Sequence, residues 1–147
     1  KIYLHFIGKL QTNKVKFAVN LFDYIHSLDN IKLAQKIANE QLKQKKKIKI
    51  FIQVNLGNEE QKSGISIEEL NDFYNYCSKE LLLNIIGLMC LPPMNSNSDK
   101  YFKILKFHAE KLNLKELSMG MSSDYLSALD HSATYLRIGS SIFGNRN

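Results

Sequence analysis

Six short apolar segments alternate with stretches of helical periodicity, and this alternation is the feature that most restricts how the chain can fold. The apolar segments cover residues 2–7, 24–28, 48–55, 85–91, 115–120 and 135–139. The helical stretches that follow them cover residues 10–22, 31–43, 66–81, 100–112, 122–131 and 140–146. Because each helix returns the chain to begin the next strand in the same direction, the pattern predicts a parallel sheet of an α/β protein.

Several of the predicted helices begin with residues that cap helix N-termini. Ser66 is followed three residues later by Glu69, which is a capping-box signature. The helix over residues 31–43 can be capped by Asp29 or Asn30, and the helix over residues 100–112 can be capped by Ser98 or Asp99. The apolar stripe predicted for the helix at 31–43 consists of Ile31, Ala34, Ile37, Ala38 and Leu42.

The number of strand–helix units leaves two α/β architectures open on pattern alone, a doubly wound open sheet and a β/α barrel. A complete barrel has eight units and typically about 250 residues. Six units in 147 residues therefore predict an unclosed barrel, with the first two units missing before Lys1. Since no segment has the composition of a linker, we expect residues 1–147 to form a single domain.

Composition and charge argue against several classes of protein. The net charge is +6, but the densest lysine cluster, Lys43 to Lys49, has no interleaved aromatic residues and no nucleic-acid-binding motif. There is no apolar run long enough for a membrane helix and no secretory signal pattern. We interpret Cys77 and Cys90 as reduced core thiols. We therefore expect a cytoplasmic globular protein without a nucleic-acid or membrane partner.

Potential polar ligands elsewhere in the sequence show no metal-binding spacing. The four histidines are not spaced as metal ligands, so we expect no metal site. His5 and His26 lie in predicted strands, which favours hydrogen-bonded core histidines over ligands. Glu59 and Glu60 lie in a polar loop and are predicted to be solvated.

The last two strand ends, "SMGMSSD" and "RIGSSIFG", combine glycine and serine just before a helix begins. In β/α folds the carboxyl ends of the strands form the functional face, and small residues with free backbone N–H groups there bind phosphate. A serine at such a position can also be an ordinary N-cap. Two such ends in consecutive units favour an anion site at this edge.

The motifs of the chain resemble those of a known family, in order and spacing and over nearly its whole length. The motifs are "HFIGKLQTNKVK" (5–16), "IHSLD" (25–29), "IQVNLGNEEQKSGI" (52–65), "IIGLM" (85–89), "LSMGMSSD" (117–124) and "LRIGSSIFGNR" (136–146). Together they resemble the pyridoxal phosphate homeostasis proteins, single-domain relatives of the N-terminal barrel of alanine racemase. The resemblance implies an incomplete (β/α)8 TIM-type barrel and a role in intracellular homeostasis of pyridoxal 5'-phosphate (PLP).

The resemblance also assigns cofactor-binding residues. Ser122 and the turn Gly139–Ser140 match the phosphate-binding positions, and Arg137 matches the arginine that faces the pyridine nitrogen of PLP. Arg137 is one of only two arginines among 20 basic residues. A guanidinium stays protonated and so keeps a facing ring nitrogen unprotonated, which disfavours carbanion chemistry. The alternative is an arginine that packs along the barrel and pairs with a carboxylate.

The resemblance implies a monomeric, non-catalytic PLP carrier or buffer, with PLP-dependent apoenzymes as partners.

The sequence departs from the family pattern at four points, one of which is Ser140, where the family usually has threonine and serine keeps the hydroxyl. The lysine that forms the Schiff base in the family, in an upstream strand, has no counterpart here, and neither Lys14 nor Lys62 matches it. The family's asparagine-bearing loop after the second strand is also absent. Ser132 stands where the family tends to have glycine, a change expected to matter little.

These departures leave two alternatives open. The first is a truncated remnant that keeps the phosphate site without covalent PLP binding. The second is a fragment of a racemase-like or decarboxylase-like PLP enzyme, which would need the missing lysine and a second domain. In any of these forms an unclosed barrel would expose apolar strand edges, so we also expect low stability and aggregation.

Overall fold

The computed structural model describes residues 1–57 and 63–147 as a curled parallel sheet with helices on its outer face. The strands are β1 (His5–Phe6), β2 (Tyr24–Leu28), β3 (Lys49–Asn55), β4 (Ile65–Ser66), β5 (Asn84–Met89), β6 (Glu116–Met121) and β7 (Tyr135–Arg137). The helices are α1 (Val15–Leu21), α2 (Ile31–Gln44), α3 (Ile67–Asn75), α4 (Ser98–Lys111), α5 (Tyr125–Asp130) and α6 (Ser140–Phe143). A 3₁₀ turn at Thr12–Lys14 precedes α1, and a π-helical segment at Tyr76–Glu80 follows α3.

The strands follow the order β1-β2-β3-β5-β6-β7, and every neighbouring pair is parallel. The short strand β4 pairs with the end of β3 and was not predicted. β1 is also shorter than predicted, since only two residues of the apolar segment pair with β2. The predicted incomplete β/α barrel is confirmed. Glu59, Glu60 and Lys62 lie outside the described residues.

The helix-capping signals were largely correct. Asn30 caps α2 by accepting from the backbone N–H of Leu33 at 2.8 Å. Ser66 caps α3 and accepts from the N–H of Glu69 at 3.3 Å. The predicted cap of α4 was wrong by one residue, because Asn97 accepts from the N–H of Asp99.

Two separate apolar clusters form the interior. The larger lies between the sheet and the helices, and the smaller, of Tyr24, Phe51 and Met89, lies on the inner face of the curl. The predicted stripe of α2 was partly wrong, because Ile31 and Leu42 are 54% and 79% exposed. The buried residues of α2 are Leu33, Ala34, Ile37, Ala38 and Glu40.

Apolar side chains are exposed beside the edge strand β1. They are Ile2, Leu4, Ile7, Phe17 and Leu21. This is the kind of exposed apolar edge that the sequence pattern predicted for an unclosed barrel.

The pairing of β3 with β2 and with β5 is interrupted once in each case by a register shift. β5 gains one residue against β3 between Ile85 and Gly87, and a Cβ at Gly87 would meet the Glu116 carbonyl oxygen at 2.0 Å. Glycine therefore lets β6 approach β5 at this bulge. β2 gains one residue against β3 at His26–Ser27. Among the described residues, Ser27 is the one buried side chain whose polar atom has no hydrogen-bond partner.

The end of α5 shows that Ser132 matters more than expected. Ser132 has φ +71°, and its N–H donates to the Leu129 carbonyl while the N–H of Ala133 donates to the Ala128 carbonyl, both at 3.0 Å. This is a Schellman ending, in which the left-handed residue is usually glycine.

Replacing Ser132 by Gly is expected to raise the free energy of unfolding by about 0.5–1 kcal/mol, because glycine has no Cβ to strain a left-handed backbone. Urea denaturation of both proteins measures the difference. Lys45, with φ +50° at the end of α2, offers a second site at which glycine should give a similar gain. A lower free energy of unfolding in both Ser132→Gly and Lys45→Gly would contradict the backbone strain assigned to these two left-handed residues.

Candidate functional site

The two glycine- and serine-containing strand ends come together at the carboxyl edge of the sheet. β6 and β7 are neighbours, and the backbone N–H of Ser141 donates to the Ser122 hydroxyl oxygen at 3.1 Å. Ser122 is partly buried and Ser140 is exposed. A Cβ added at Gly139 would find no atom within 4 Å, so the space above this turn is open. The structure therefore brings Ser122 next to the Gly139–Ser140 turn, as the phosphate-site hypothesis requires.

The loop after β6 is held in place by Asp124. One carboxylate oxygen accepts from the N–H of Met121 and the other accepts from the Ser98 hydroxyl, each at 2.8 Å. These bonds close the loop that contains Ser122 and tie it to the start of α4. The position of Ser122 thus depends on a carboxylate that the sequence analysis did not single out.

Arg137 lies at the end of β7 with its side chain directed across neighbouring strands. Its Nη1 donates to the Ser118 hydroxyl oxygen at 2.6 Å, and its Nη2 donates to the Cys90 carbonyl oxygen at 2.8 Å. No carboxylate pairs with it among the described residues, so the alternative predicted from sequence does not hold in this part of the chain. Burial lowers the pKa of the guanidinium, which nevertheless remains charged because arginine does not deprotonate in proteins.

Two histidines extend this set of hydrogen bonds along the inner face of the curled sheet. His26 Nδ1 lies 2.8 Å from the Ser118 hydroxyl, and His26 Nε2 lies 3.0 Å from His5 Nδ1. His5 stacks on Tyr24 and His26 stacks on Phe51. The interpretation of these residues as hydrogen-bonded histidines rather than metal ligands is supported by these contacts.

The surroundings of His5 and His26 lower the pKa of both side chains. Burial lowers the pKa of His26 to about 3, with smaller contributions from His5 and Arg137. Burial also lowers the pKa of His5, which the Asp23 carboxylate partly opposes. Both imidazoles are therefore neutral near pH 7.

Ser118 was missed by the sequence analysis, although it contacts both Arg137 and His26. Its side chain is fully buried, at 0% exposure. It is the first residue of the stretch "SMGMSSD", but no role was assigned to it because it lies within the predicted apolar strand. The one available signal was a hydroxyl among the apolar residues of β6.

Both cysteines are free and buried, as the sequence indicated. Burial raises the pKa of Cys77 and of Cys90 to about 12, so both are unreactive core thiols. No cluster of three or more potential metal ligands occurs within residues 1–57 and 63–147. In the same ranges, every helix is too short or too polar to cross a membrane.

Comparison with known proteins gives matches over nearly the whole chain. The alanine racemase N-terminal domain family matches residues 3–147. The pyridoxal phosphate homeostasis protein of Synechocystis sp. is 40% identical, with 97% of this chain and 69% of that protein aligned. This chain belongs to the pyridoxal phosphate homeostasis protein family.

Other members of the family show how far the similarity extends. The homologue of Aquifex aeolicus is 38% identical over 97% of this chain and 66% of its own length. PipY of Synechococcus elongatus, whose structure was solved with PLP bound, superposes with a TM-score of 0.91 at 32% identity, over 97% of this chain and 71% of PipY. The chain thus spans about two-thirds of the length of these family members.

The fold is shared with more distant enzymes. Alanine racemase of Clostridium difficile has a TM-score of 0.75 at 12% identity, over 99% of this chain and 40% of the enzyme. A likeness at this identity shows a common fold and does not extend to the racemase reaction.

Proposed function

We propose that residues 1–147 form one domain that binds PLP through Ser122, Arg137, Gly139 and Ser140 and serves as a non-catalytic carrier or buffer in cytoplasmic PLP homeostasis. The observation that most favours this proposal is the inner-wall guanidinium of Arg137, two residues before the open Gly139–Ser140 turn. The name shared by the relatives and the PLP bound to PipY support the choice of ligand. We further propose a monomer that delivers PLP to apoenzymes.

The residues present fit a phosphorylated pyridine. Ser122 and Ser140 offer hydroxyl groups, and the backbone N–H of Ser140 at the start of α6 adds a further donor, at a place where no side chain fills the space above Gly139. Phosphate binding by such backbone and hydroxyl donors is common at strand–helix turns. Arg137 uses one N–H of each terminal nitrogen on Ser118 and Cys90, which leaves further donors for a ring nitrogen.

The same residues favour holding PLP over reacting it. PLP supplies an aldehyde and a ring that withdraws electrons most strongly when its nitrogen is protonated. Arg137 can donate a hydrogen bond to that nitrogen but does not give up its proton. A guanidinium there would therefore keep the ring a weak electron sink.

Titration of the chain with PLP, followed by visible absorbance before and after borohydride reduction and by peptide mapping, tests the proposal. We expect saturable binding that inorganic phosphate displaces. Reduction onto one specific lysine would show that this chain supplies its own attachment residue. Binding without reducible attachment would favour the alternative of a remnant that keeps the phosphate site. Absence of saturable binding would contradict the proposed function.

The non-catalytic part of the proposal has its own test. The PLP-loaded chain is incubated with L-alanine, L-arginine or L-lysine in D₂O, and exchange at Cα is followed by NMR. We expect no exchange above that of free PLP. Exchange accelerated beyond free PLP would favour the alternative of an enzyme fragment.

Gly139→Ala tests the phosphate position separately. The new methyl group would enter the open space without meeting another atom, and φ of −124° is not in the left-handed region that requires glycine, so the fold should tolerate it. We expect a several-fold loss of PLP affinity, measured by absorbance titration, with an unchanged urea midpoint. Gly8→Ala is the control, because its Cβ also meets no atom within 4 Å. Unchanged affinity in Gly139→Ala would argue against phosphate at this turn.

A further inference from the structure

Four polar side chains from four different strands form one hydrogen-bonded row, here called the inner-wall network: His5, His26, Ser118 and Arg137. The successive contacts are 3.0, 2.8 and 2.6 Å long, from His5 to Arg137. Ser118 and His26 are 0% and 2% exposed. Neither of these two residues matched a family motif position with an assigned role, so their part in the site has to come from their contacts.

The direction of the hydrogen bonds follows from Arg137. A guanidinium has only donors, so the Ser118 oxygen must accept from it. The single hydroxyl proton of Ser118 can then donate to His26 Nδ1. A neutral His26 that accepts at Nδ1 has its proton on Nε2, from which it donates to His5 Nδ1. His5 in turn has its own proton on Nε2.

The opposite direction is disfavoured at Ser118. If His26 donated from Nδ1, the serine oxygen would accept twice and its own proton would need a third partner. The described contacts of Ser118 supply none, and the side chain has no exposed surface. A buried donor without an acceptor is costly. The inner-wall network therefore has one favoured arrangement of protons.

We propose that Ser118 and His26 are positioning residues that hold the Arg137 guanidinium in one orientation, through a network in which both His5 and His26 are neutral with the proton on Nε2. The role toward PLP rests on the function proposed above, whereas the proton arrangement does not. Because the network begins at a permanent donor, neither histidine can deliver a proton through Arg137 to a ring nitrogen. The network thus fixes the group that keeps that nitrogen unprotonated.

Long-range ¹H–¹⁵N NMR on the full chain, labelled at histidine and arginine, tests the proton arrangement directly. We expect the Nε2–H tautomer for His5 and His26 at pH 7.5, with His108 and His131 as internal references. Slow rotation should give Arg137 separate Nη1 and Nη2 signals, whereas the exposed Arg146 should show an averaged signal. A His26 with its proton on Nδ1, or an Arg137 averaged like Arg146, would overturn the proposal.

Two serine variants separate positioning from general packing. Ser118→Ala removes the central hydroxyl, so the Arg137 signals should average and the His26 tautomers should mix. Ser27→Ala is the matched control, since Ser27 is equally buried, adjoins His26 in sequence and has no hydrogen-bond partner. The control should leave both sets of signals unchanged. Unchanged Arg137 and His26 signals in Ser118→Ala would overturn the positioning role.

A further variant covers the case in which Ser118→Ala does not fold. His5→Ala alters a half-buried residue and removes the acceptor of His26 Nε2. We expect the His26 Nε2 proton to exchange faster with water in this variant. An unaltered exchange rate would contradict the proposed contact.

PLP affinity provides the link to function. Ser118→Ala should bind PLP about threefold more weakly, with Ser27→Ala unchanged. If the unaltered chain fails to bind PLP while its tautomers are as expected, the proposed function fails and the proton arrangement stands. If PLP binds but Ser118→Ala has full affinity, the positioning role in binding fails alone.

Discussion

Replacing Arg137 by Ala is expected to weaken PLP binding at least tenfold and to lower the free energy of unfolding by about 3 kcal/mol or more. The stability loss follows because the Cys90 carbonyl and the buried Ser118 hydroxyl lose a charged donor at 2.8 and 2.6 Å, and hydrogen bonds to charged groups contribute about 1.5–3 kcal/mol each. The affinity loss follows from the missing donor to the ring nitrogen. Absorbance titration and urea denaturation measure the two effects.

Two further arginine variants test whether the effect is specific to the position and to the shape of the Arg137 side chain. Arg146→Ala changes the other arginine, which is exposed, and should alter neither quantity. Arg137→Lys keeps the charge without the planar fork, so it cannot reach both Ser118 and Cys90 in the same way. It should therefore recover only part of the affinity. An Arg137→Ala chain with full affinity would contradict the cofactor role of this residue.

Acid should destabilise the protein through His26. The pKa of His26 is about 3 in the folded chain and 6.5 ordinarily, so the unfolded chain binds more protons between these values. Stability is therefore complete above about pH 6.5 and is lost as the pH falls toward 3, by up to about 1.4 kcal/mol for each pH unit. Over three pH units this reaches about 4 kcal/mol.

The measurement is urea denaturation of the chain and of His26→Gln between pH 7.5 and 4. Glutamine can accept and donate like neutral histidine but does not titrate. The variant should thus show a shallower fall, with the difference growing by about 1 kcal/mol per pH unit below 6.5. The titratable and charged groups facing His26 are His5, Arg137, Tyr24 and Tyr135, and burial also lowers the pKa of His5 from its ordinary value. Parallel pH profiles for the two proteins would contradict a neutral, buried His26.

Local signals in the sequence predicted much of the fold because they act over a few residues. The span of β2 and the capping box of Ser66 and Glu69 were both correct. The stripe of α2 failed at Ile31 and Leu42, which lie at its two ends and are exposed, because periodicity indicates a face but not how far along the helix that face is covered. Ser132 was misjudged because a backbone dihedral angle is not visible in the sequence.

The candidate site was only partly predictable for a related reason. Ser122, Arg137, Gly139 and Ser140 lie at motif positions to which the family resemblance assigns a role, whereas it assigns none to Ser118 or His26 in the same motifs. Ser118 and His26 lie 92 positions apart, and their contact exists only after the sheet has formed. No local pattern encodes a hydrogen bond over that separation. Contacts of this kind have to be found in the structure.

The wide spacing of the inner-wall network has a consequence for biosynthesis. His5 and His26 leave the ribosome long before Ser118, which follows His26 by 92 residues, and Arg137 emerges later still. Until β6 and β7 dock, His26 lacks its contact with Ser118, and the hydrogen bonds that orient Arg137 are not made. The proposed binding of PLP through Arg137 would therefore begin only when synthesis of this domain is nearly complete.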